Sequence, residues 1–325
     1  MKMIITGGAG FIGSNFVQYM VGKYASYDII NVDLLTFPGS LKNLEPIEDR
    51  PNYKFVKGDI TDRSFVFQLF ETVMPDIVVN FAEENHTSRY IADAASFVRA
   101  NVIGTVTLLE ACRKFGIKRY HQVSTERVYD VLTLNGTLPG TFDPYSASKA
   151  SADLCVQAYY RTFGLPVTIS RCSNNYGPYH FPDKFIPMAV IRALADKEVP
   201  IYGTGENVCD WLHVSDHCRA VDLILHEGRV GEVYNINGHN ERTNLMAVKT
   251  ILRILDKPES LIRFVTGHKV HERHYAPSSA KLENELGWAV SYDFDSGLRQ
   301  TIGWYWNHQN WWNNIQNGKY REQDQ

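Results

Sequence analysis

The stretch TGGAGFIG, Thr6 to Gly13, decides how the rest of the chain is read. It follows an apolar, β-branched run and opens a segment whose apolar residues recur at helical spacing, so it marks a turn between a strand and a helix. Gly7, Gly10 and Gly13 stand in a GxxGxxG spacing, with Phe11 and Ile12 between the last two. Glycine there permits a tight turn, lets backbone N–H groups approach a diphosphate, and lets the helix pack close to a sheet. Asp33 ends the next strand-like run, twenty residues past Gly13. A carboxylate at that point accepts hydrogen bonds from ribose hydroxyls and repels a 2′-phosphate, which selects NAD over NADP. The turn, Phe11, Ile12 and Asp33 are therefore expected to bind NAD.

Outward from this turn, the runs "MIITG", "DIINVD", "YKFVKGD", "DIVVNFA", "RYHQVST" and "PVTISR" read as strands. Between them, "SNFVQYMVGKY", "SFVFQLFETV", "ASFVRANVIGTVTLLEACRKFG" and "SASKASADLCVQAYYRTFG" carry apolar residues at helical spacing. The alternation predicts an α/β fold, a Rossmann-type doubly wound parallel sheet. From about Phe181 the pattern loosens. "IYGTGENVCDWLHVSDHCRAVDLIL" predicts a hairpin leading into a helix, and "GEVYNING" predicts another strand. With no low-complexity spacer between the halves, the expectation is a nucleotide-binding domain over residues 1–178, a return to it near 206–240, and a smaller interleaved substrate lobe over most of 179–325. The aromatic, then polar tail from Thr301 predicts a packed terminal helix with a frayed end.

Bulk properties narrow the function. Across 325 residues the formal net charge is -3, and the pI is about 6.4, so no global pull toward nucleic acid or an anionic membrane exists. The five cysteines form no CxxC pair and are odd in number, which disfavours a zinc knuckle and a closed disulfide framework. No apolar run approaches the ~20 residues of a membrane span. A soluble, cytoplasmic enzyme is expected. His86, His121, His213, His217, His271 and His274 fall into no metal-ligand spacing, and no metal is expected.

In "PYSASK", Tyr145 and Lys149 lie one helical turn apart, so the ammonium can sit near the phenol and lower its pKa. A phenolate near neutral pH can take a hydroxyl proton while hydride leaves the same carbon. Thr125, at the end of "RYHQVST", stands upstream of this pair. In "GDITD", Asp59 and Ile60 follow the third strand and either border the adenine or form a simple polar turn.

Together these motifs resemble the extended short-chain dehydrogenase/reductases that modify nucleotide sugars, most closely the dTDP-glucose 4,6-dehydratases. The resemblance runs through "TGGAGFIGSNF", "VDLLTFPGSLKNL", "NFAEENHTSRYI", "NVIGT", "YSASKASAD", "RCSNNYGPYHFPDKFIP", "IYGTGENVCDWLHVSDH" and "YNINGHNERTN". It implies that Thr125, Tyr145 and Lys149 carry oxidation at C4 of a UDP- or dTDP-linked hexose, and that Phe81 and Ala82 border the cofactor. It implies further that His86, Asn174, Asn175, Lys184, Pro187, Tyr202, Asn207, Cys209 and His274 line the substrate site. Members of the family dimerise through two long helices per subunit, so a homodimer is expected through the segments beginning at Ala95 and Ser146.

One block departs from the resemblance. The family supplies an acid and a base as adjacent Asp and Glu in S-T-D-E-V-Y-G, and here the block reads S-T-E-R-V-Y-D. Glu126 can still act as an acid, although one extra methylene displaces its carboxyl. Arg127 stays protonated and cannot remove the C5 proton. Glu83 stands where the family prefers Ala, Cys209 where Arg is usual, and His274 where a phosphate-binding Arg is expected.

These losses lead to the expectation of an NAD enzyme acting on a 4-keto or 5,6-unsaturated 6-deoxy sugar nucleotide, by internal redox with or without C5 inversion. Glu83 or Glu126 would then donate the C5 proton and Arg127 would stabilise the enolate. A conventional 4,6-dehydratase using Glu126 twice or recruiting Glu83, a C4 epimerase, and a non-catalytic NAD-binding protein stay open as alternatives.

Overall fold

A computed structural model describes residues 1–36, 39–85, 93–132, 143–266 and 278–317. Its largest sheet has seven strands: β1 (Lys2–Thr6), β2 (Asp28–Asp33), β3 (Tyr53–Lys57), β4 (Ile77–Asn80), β5 (Arg119–Thr125), β6 (Val167–Cys172) and, after three strands placed elsewhere, β10 (Val233–Ile236). Every pairing is parallel, in the order β3-β2-β1-β4-β5-β6-β10. The order reverses between β1 and β4, and ligands of such sheets bind outside the carboxyl ends of the strands at that reversal.

The inner strands β1, β2 and β4 are near-continuous buried apolar runs because helices cover both faces, while the edge strand β3 is half-buried with Lys54 and Lys57 exposed. Along β1, Met3 and Ile5 join the core beneath the helices Phe11–Lys23 and Val214–Glu227, while Ile4 joins the opposite core beneath Arg63–Val73, Gly104–Phe115 and Pro144–Phe163. Asp222, 2% exposed, ties the first two helices together by accepting from Lys23 Nζ at 2.6 Å, Tyr19 Oη at 2.9 Å and Tyr24 Oη at 3.0 Å.

The remaining strands build a second layer of structure with its own core. β7 (Asn174–Tyr176), β9 (Val208–His213) and β11 (Glu241–Thr243) form a three-stranded sheet, and β8 (Val199–Tyr202) pairs with β12 (Ile262–Val265). Their apolar side chains pack with the helices Phe185–Leu194, Asn244–Ile254 and Phe294–Asn307.

Two sequence expectations change here. No β8–β9 hairpin forms: β8 pairs in parallel with β12, while β9 has both edges filled by β7 and β11. Adjacency along the chain favours a hairpin, but β7 and β11 already fill both edges of β9 and leave no ladder groups for β8. The helical run from Ala95 is also not uniform, because Val98–Ile103 is π-helical before the α-helix resumes at Gly104. Inside that wider turn, the Asn101 amide accepts from Glu84 N at 2.7 Å and donates to Glu84 O at 3.1 Å and to Ser148 Oγ at 2.8 Å. A π-bulge often marks such a functional placement. No helix among the described residues is long and apolar enough to cross a membrane.

Candidate active site

The carboxyl edge of the seven-stranded sheet gathers the residues singled out in the sequence. Gly7 follows β1 with φ +74°, and a Cβ there would lie 2.4 Å from Ala82 N. A Cβ on Gly13 would lie 2.2 Å from Gly7 O, so both positions are closed to larger residues. Gly10 differs, since a Cβ there would meet only Gly7 O at 3.4 Å. The open side of Gly10 faces space that a ligand can use. Gly10 is also the N-cap of the helix Phe11–Lys23, whose first turn has no side-chain cap and no acidic residue. Its opening N–H groups, those of Phe11 and Ile12 included, are thus presented to an anion.

Asp33 ends β2, and its two carboxylate oxygens accept from Ala9 N at 2.9 Å and Leu35 N at 2.8 Å. Burial pushes the carboxyl above its ordinary value, opposed by those two bonds. Phe81 and Ala82 follow β4, where Phe81 N donates to Thr6 O at 2.9 Å and Ala82 N to Asn80 Oδ1 at 3.2 Å. Asp59 closes its own turn by accepting from Thr61 N at 2.8 Å, and the Ile60 side chain is buried against Gly104. This cradle fits a dinucleotide: a glycine turn with one open position, an uncapped helix start, and a carboxylate at the end of the neighbouring strand.

Across the reversal, Thr125 ends β5 beside Cys172 at the end of β6. Thr125 Oγ1 caps the next turn by accepting from Arg127 N at 3.3 Å. Tyr145 and Lys149 sit in the first turns of the helix Pro144–Phe163, begun by Asp143 as N-cap, which accepts from Ser146 N at 2.8 Å, and by proline at N1. Lys149, 2% exposed, donates to Val123 O at 2.9 Å and meets Glu83 Oε2 at 2.9 Å. Tyr145 Oη donates to the same Glu83 oxygen at 3.2 Å. The phenol and the ammonium therefore converge on one carboxylate. Burial, then the Glu83 charge, push the phenol well above 10.0, while Arg127 opposes them.

Glu126 is buried, at 4% exposure. Arg127 pairs with Asp143 Oδ2 at 2.5 Å and lies 5.6 Å over the Tyr145 ring. Asp143 was absent from the sequence-based site, yet the Asp-Pro pair ahead of "YSASK" is a helix-start signal that could have placed it.

In the three-stranded sheet, Asn174 and Asn175 lie on β7, where Asn175 Nδ2 donates to Ser173 O at 2.9 Å and Asn175 Oδ1 meets His217 Nδ1 at 3.0 Å. The Asn174 amide nitrogen is buried with no partner among the described residues. Lys184 is the N-cap of Phe185–Leu194, and Pro187 is buried in that helix. Tyr202 is 65% exposed, and Asn207 accepts at its carbonyl from Asn244 N at 3.0 Å. Cys209 is 6% exposed and packs in the second core. His86 and His274 lie outside the described residues. His121 is packed between Thr168 and Ser170 hydroxyls at 2.9 Å each, and burial lowers it to about 3. Among the described residues no group of three or more His, Cys, Asp or Glu could hold a metal ion.

Comparison with known proteins places this geometry. The chain is 43% identical to the dTDP-glucose 4,6-dehydratase of Neisseria meningitidis serogroup B, over 98% of this chain and 97% of that protein. A crystal structure of dTDP-glucose 4,6-dehydratase from Bacillus anthracis, in complex with NAD, superposes with a TM-score of 0.87 at 47% identity, covering 96% of this chain and 99% of the other. UDP-glucose 4-epimerase from Thermotoga maritima, with UDP-glucose, gives a TM-score of 0.86 at 27% identity, covering 95% and 100%. The family model described as GDP-mannose 4,6 dehydratase matches residues 4–301. By that match and these relatives, the chain belongs to the GDP-mannose 4,6 dehydratase family of nucleotide-sugar enzymes.

Proposed function

We propose that the protein is an NAD-dependent 4,6-dehydratase of a dTDP-linked hexose. The observation that carries this reading is the convergence of Tyr145 and Lys149 beside the end of β5, where Thr125 and the buried Glu126 follow. The relatives, dTDP-glucose 4,6-dehydratases along nearly the whole chain, support the same substrate class. Gly7, Gly10, Gly13 and Asp33 would hold NAD, which supplies a hydride acceptor for C4 when bound. Tyr145 would take the C4 hydroxyl proton, with Thr125 fixing that hydroxyl. Glu126 would move the proton at C5 and donate to the departing C6 hydroxyl, since Arg127 cannot be a base.

A second reading, action on a 4-keto or 5,6-unsaturated sugar already past elimination, is favoured by one feature: Arg127 is fixed by Asp143 as a cation where a base would stand. Incubation with dTDP-glucose, followed by mass spectrometry, separates the two. Loss of one water is expected. A substrate left intact, together with turnover of a dTDP-4-keto-6-deoxy sugar that takes up solvent deuterium at C5, would instead select the second reading.

Two further points extend this reading. Val98, Ile103, Leu154 and Phe163 are 50%, 49%, 53% and 51% exposed on the two long helical segments, as an interface between copies of this chain requires. Light scattering should give twice the chain mass, and the mass of one chain would refute the homodimer. All five cysteines are free thiols, which supports a reducing, cytoplasmic setting.

A further inference from the structure

Glu83 sits where three constraints meet. It follows β4, and its neighbour Glu84 is held at both backbone N and O by the Asn101 amide in the π-helical turn. Asn85 Nδ2 donates to Glu83 Oε1 at 2.8 Å, which orients the carboxylate. The other oxygen, Oε2, receives Lys149 Nζ at 2.9 Å and the Tyr145 hydroxyl at 3.2 Å. An ionised carboxylate has no proton to give, so its bond to Tyr145 exists only while the phenol keeps its own. Meanwhile the ammonium that would stabilise a phenolate is engaged by Glu83 and by Val123 O.

Among the described residues, the other groups around Tyr145 do not supply a comparable hold on its proton. Arg127, from the turn after β5, lies 5.6 Å over the ring but is paired with Asp143 at the start of the helix. Cys172, at the end of β6, has a thiol pushed up to about 12 by burial and by the charges of Glu126 and Glu83. Phe97 meets the ring edge-on at 6.4 Å and carries no charge.

We infer that Glu83 is a positioning residue that keeps Tyr145 as the neutral phenol, by accepting its proton in a hydrogen bond and by occupying Lys149. It thereby sets the pH at which sugar oxidation can begin. The inference rests on the proposed role of Tyr145 as the C4 proton acceptor. The tyrosine's own titration, however, is independent of which sugar nucleotide is the substrate.

The test is a pH titration of the enzyme with its bound cofactor, labelled with carbon-13 at the tyrosine ζ position, the Tyr145 signal being assigned by its loss in Tyr145→Phe. In Glu83→Gln the like charge is removed, Lys149 is released toward the phenol, and the amide can donate to a phenolate. Tyr145 should then ionise at a pH lower by about one or more than in the wild type. Glu83→Ala, measured alongside, should move it in the same direction, and oxidation at the acid end of the rate profile should rise about tenfold for each pH unit of that change. A Tyr145 signal that titrates identically in the wild type and both variants overturns the inference. If the signal moves while no candidate sugar nucleotide is turned over, the substrate reading falls and this one stands.

Discussion

Replacing Tyr145 by Phe is expected to slow oxidation of the sugar by about 10²–10⁴-fold, the usual contribution of a positioned acid or base. The change removes one oxygen and leaves the ring, which packs edge-on to Phe97 at 6.4 Å and under Arg127 at 5.6 Å. The helix start is untouched, because its cap is Asp143. Binding of cofactor and substrate should therefore survive within a few-fold, and the loss should fall on kcat. Single-turnover absorbance of the reduced nicotinamide reads the step directly. A rate within about tenfold of the wild type would remove Tyr145 from the proton transfer altogether.

Asp153→Ala should cost about 3–5 kcal/mol of stability, the usual penalty for stranding a buried charge. Asp153 lies on the same helix as Tyr145 and Lys149, and its Oδ2 accepts from Arg171 Nε of β6 at 2.9 Å, with side-chain exposures of 1% and 6%. Burial pushes the Asp153 carboxyl up, and the Arg171 charge opposes it. Removing the carboxylate leaves the guanidinium in the interior, 4.7 Å over the Tyr129 ring, without its counter-charge. Urea denaturation should show a lower midpoint with an unchanged slope. The double variant Asp153→Leu with Arg171→Met should recover much of the loss, since an apolar pair of similar volume strands nothing. A single-variant loss below about 1 kcal/mol would mean that the pair does not anchor the helix.

The parallel sheet was legible because its strands are short, β-branched or apolar runs separated by helical patterns: six such runs and then "GEVYNING" correspond to its seven strands. Legibility fell where partners are distant in sequence. Val199–Tyr202 and Val208–His213 look like a hairpin by adjacency, yet β12 and β11, encoded up to some sixty residues later, claim them. Helical periodicity similarly hid the π turn at Val98–Ile103, because one extra residue hardly alters the apolar pattern.

In the site, the sequence could name Tyr145, Lys149, Glu83 and Arg127, but not the pairing among them. Tyr145 and Lys149 are neighbours on one helix, so their proximity follows from periodicity alone. The arrival of Glu83 from the end of β4, 62 residues upstream of the tyrosine, depends on the fold and on the Asn101 clamp. The Arg127–Asp143 pair spans 16 residues and was equally invisible.

The late return of β10 has a consequence for how the chain comes to be folded. β6 is complete at Cys172, but its outer ladder is filled only by Val233–Ile236. During synthesis, about sixty residues must leave the ribosome before that edge is closed, at the usual several residues per second. Throughout that interval an apolar parallel edge stands open to any other nascent strand. A fragment cut at any point between Cys172 and Val233 would lack β10 and leave the outer edge of β6 unpaired.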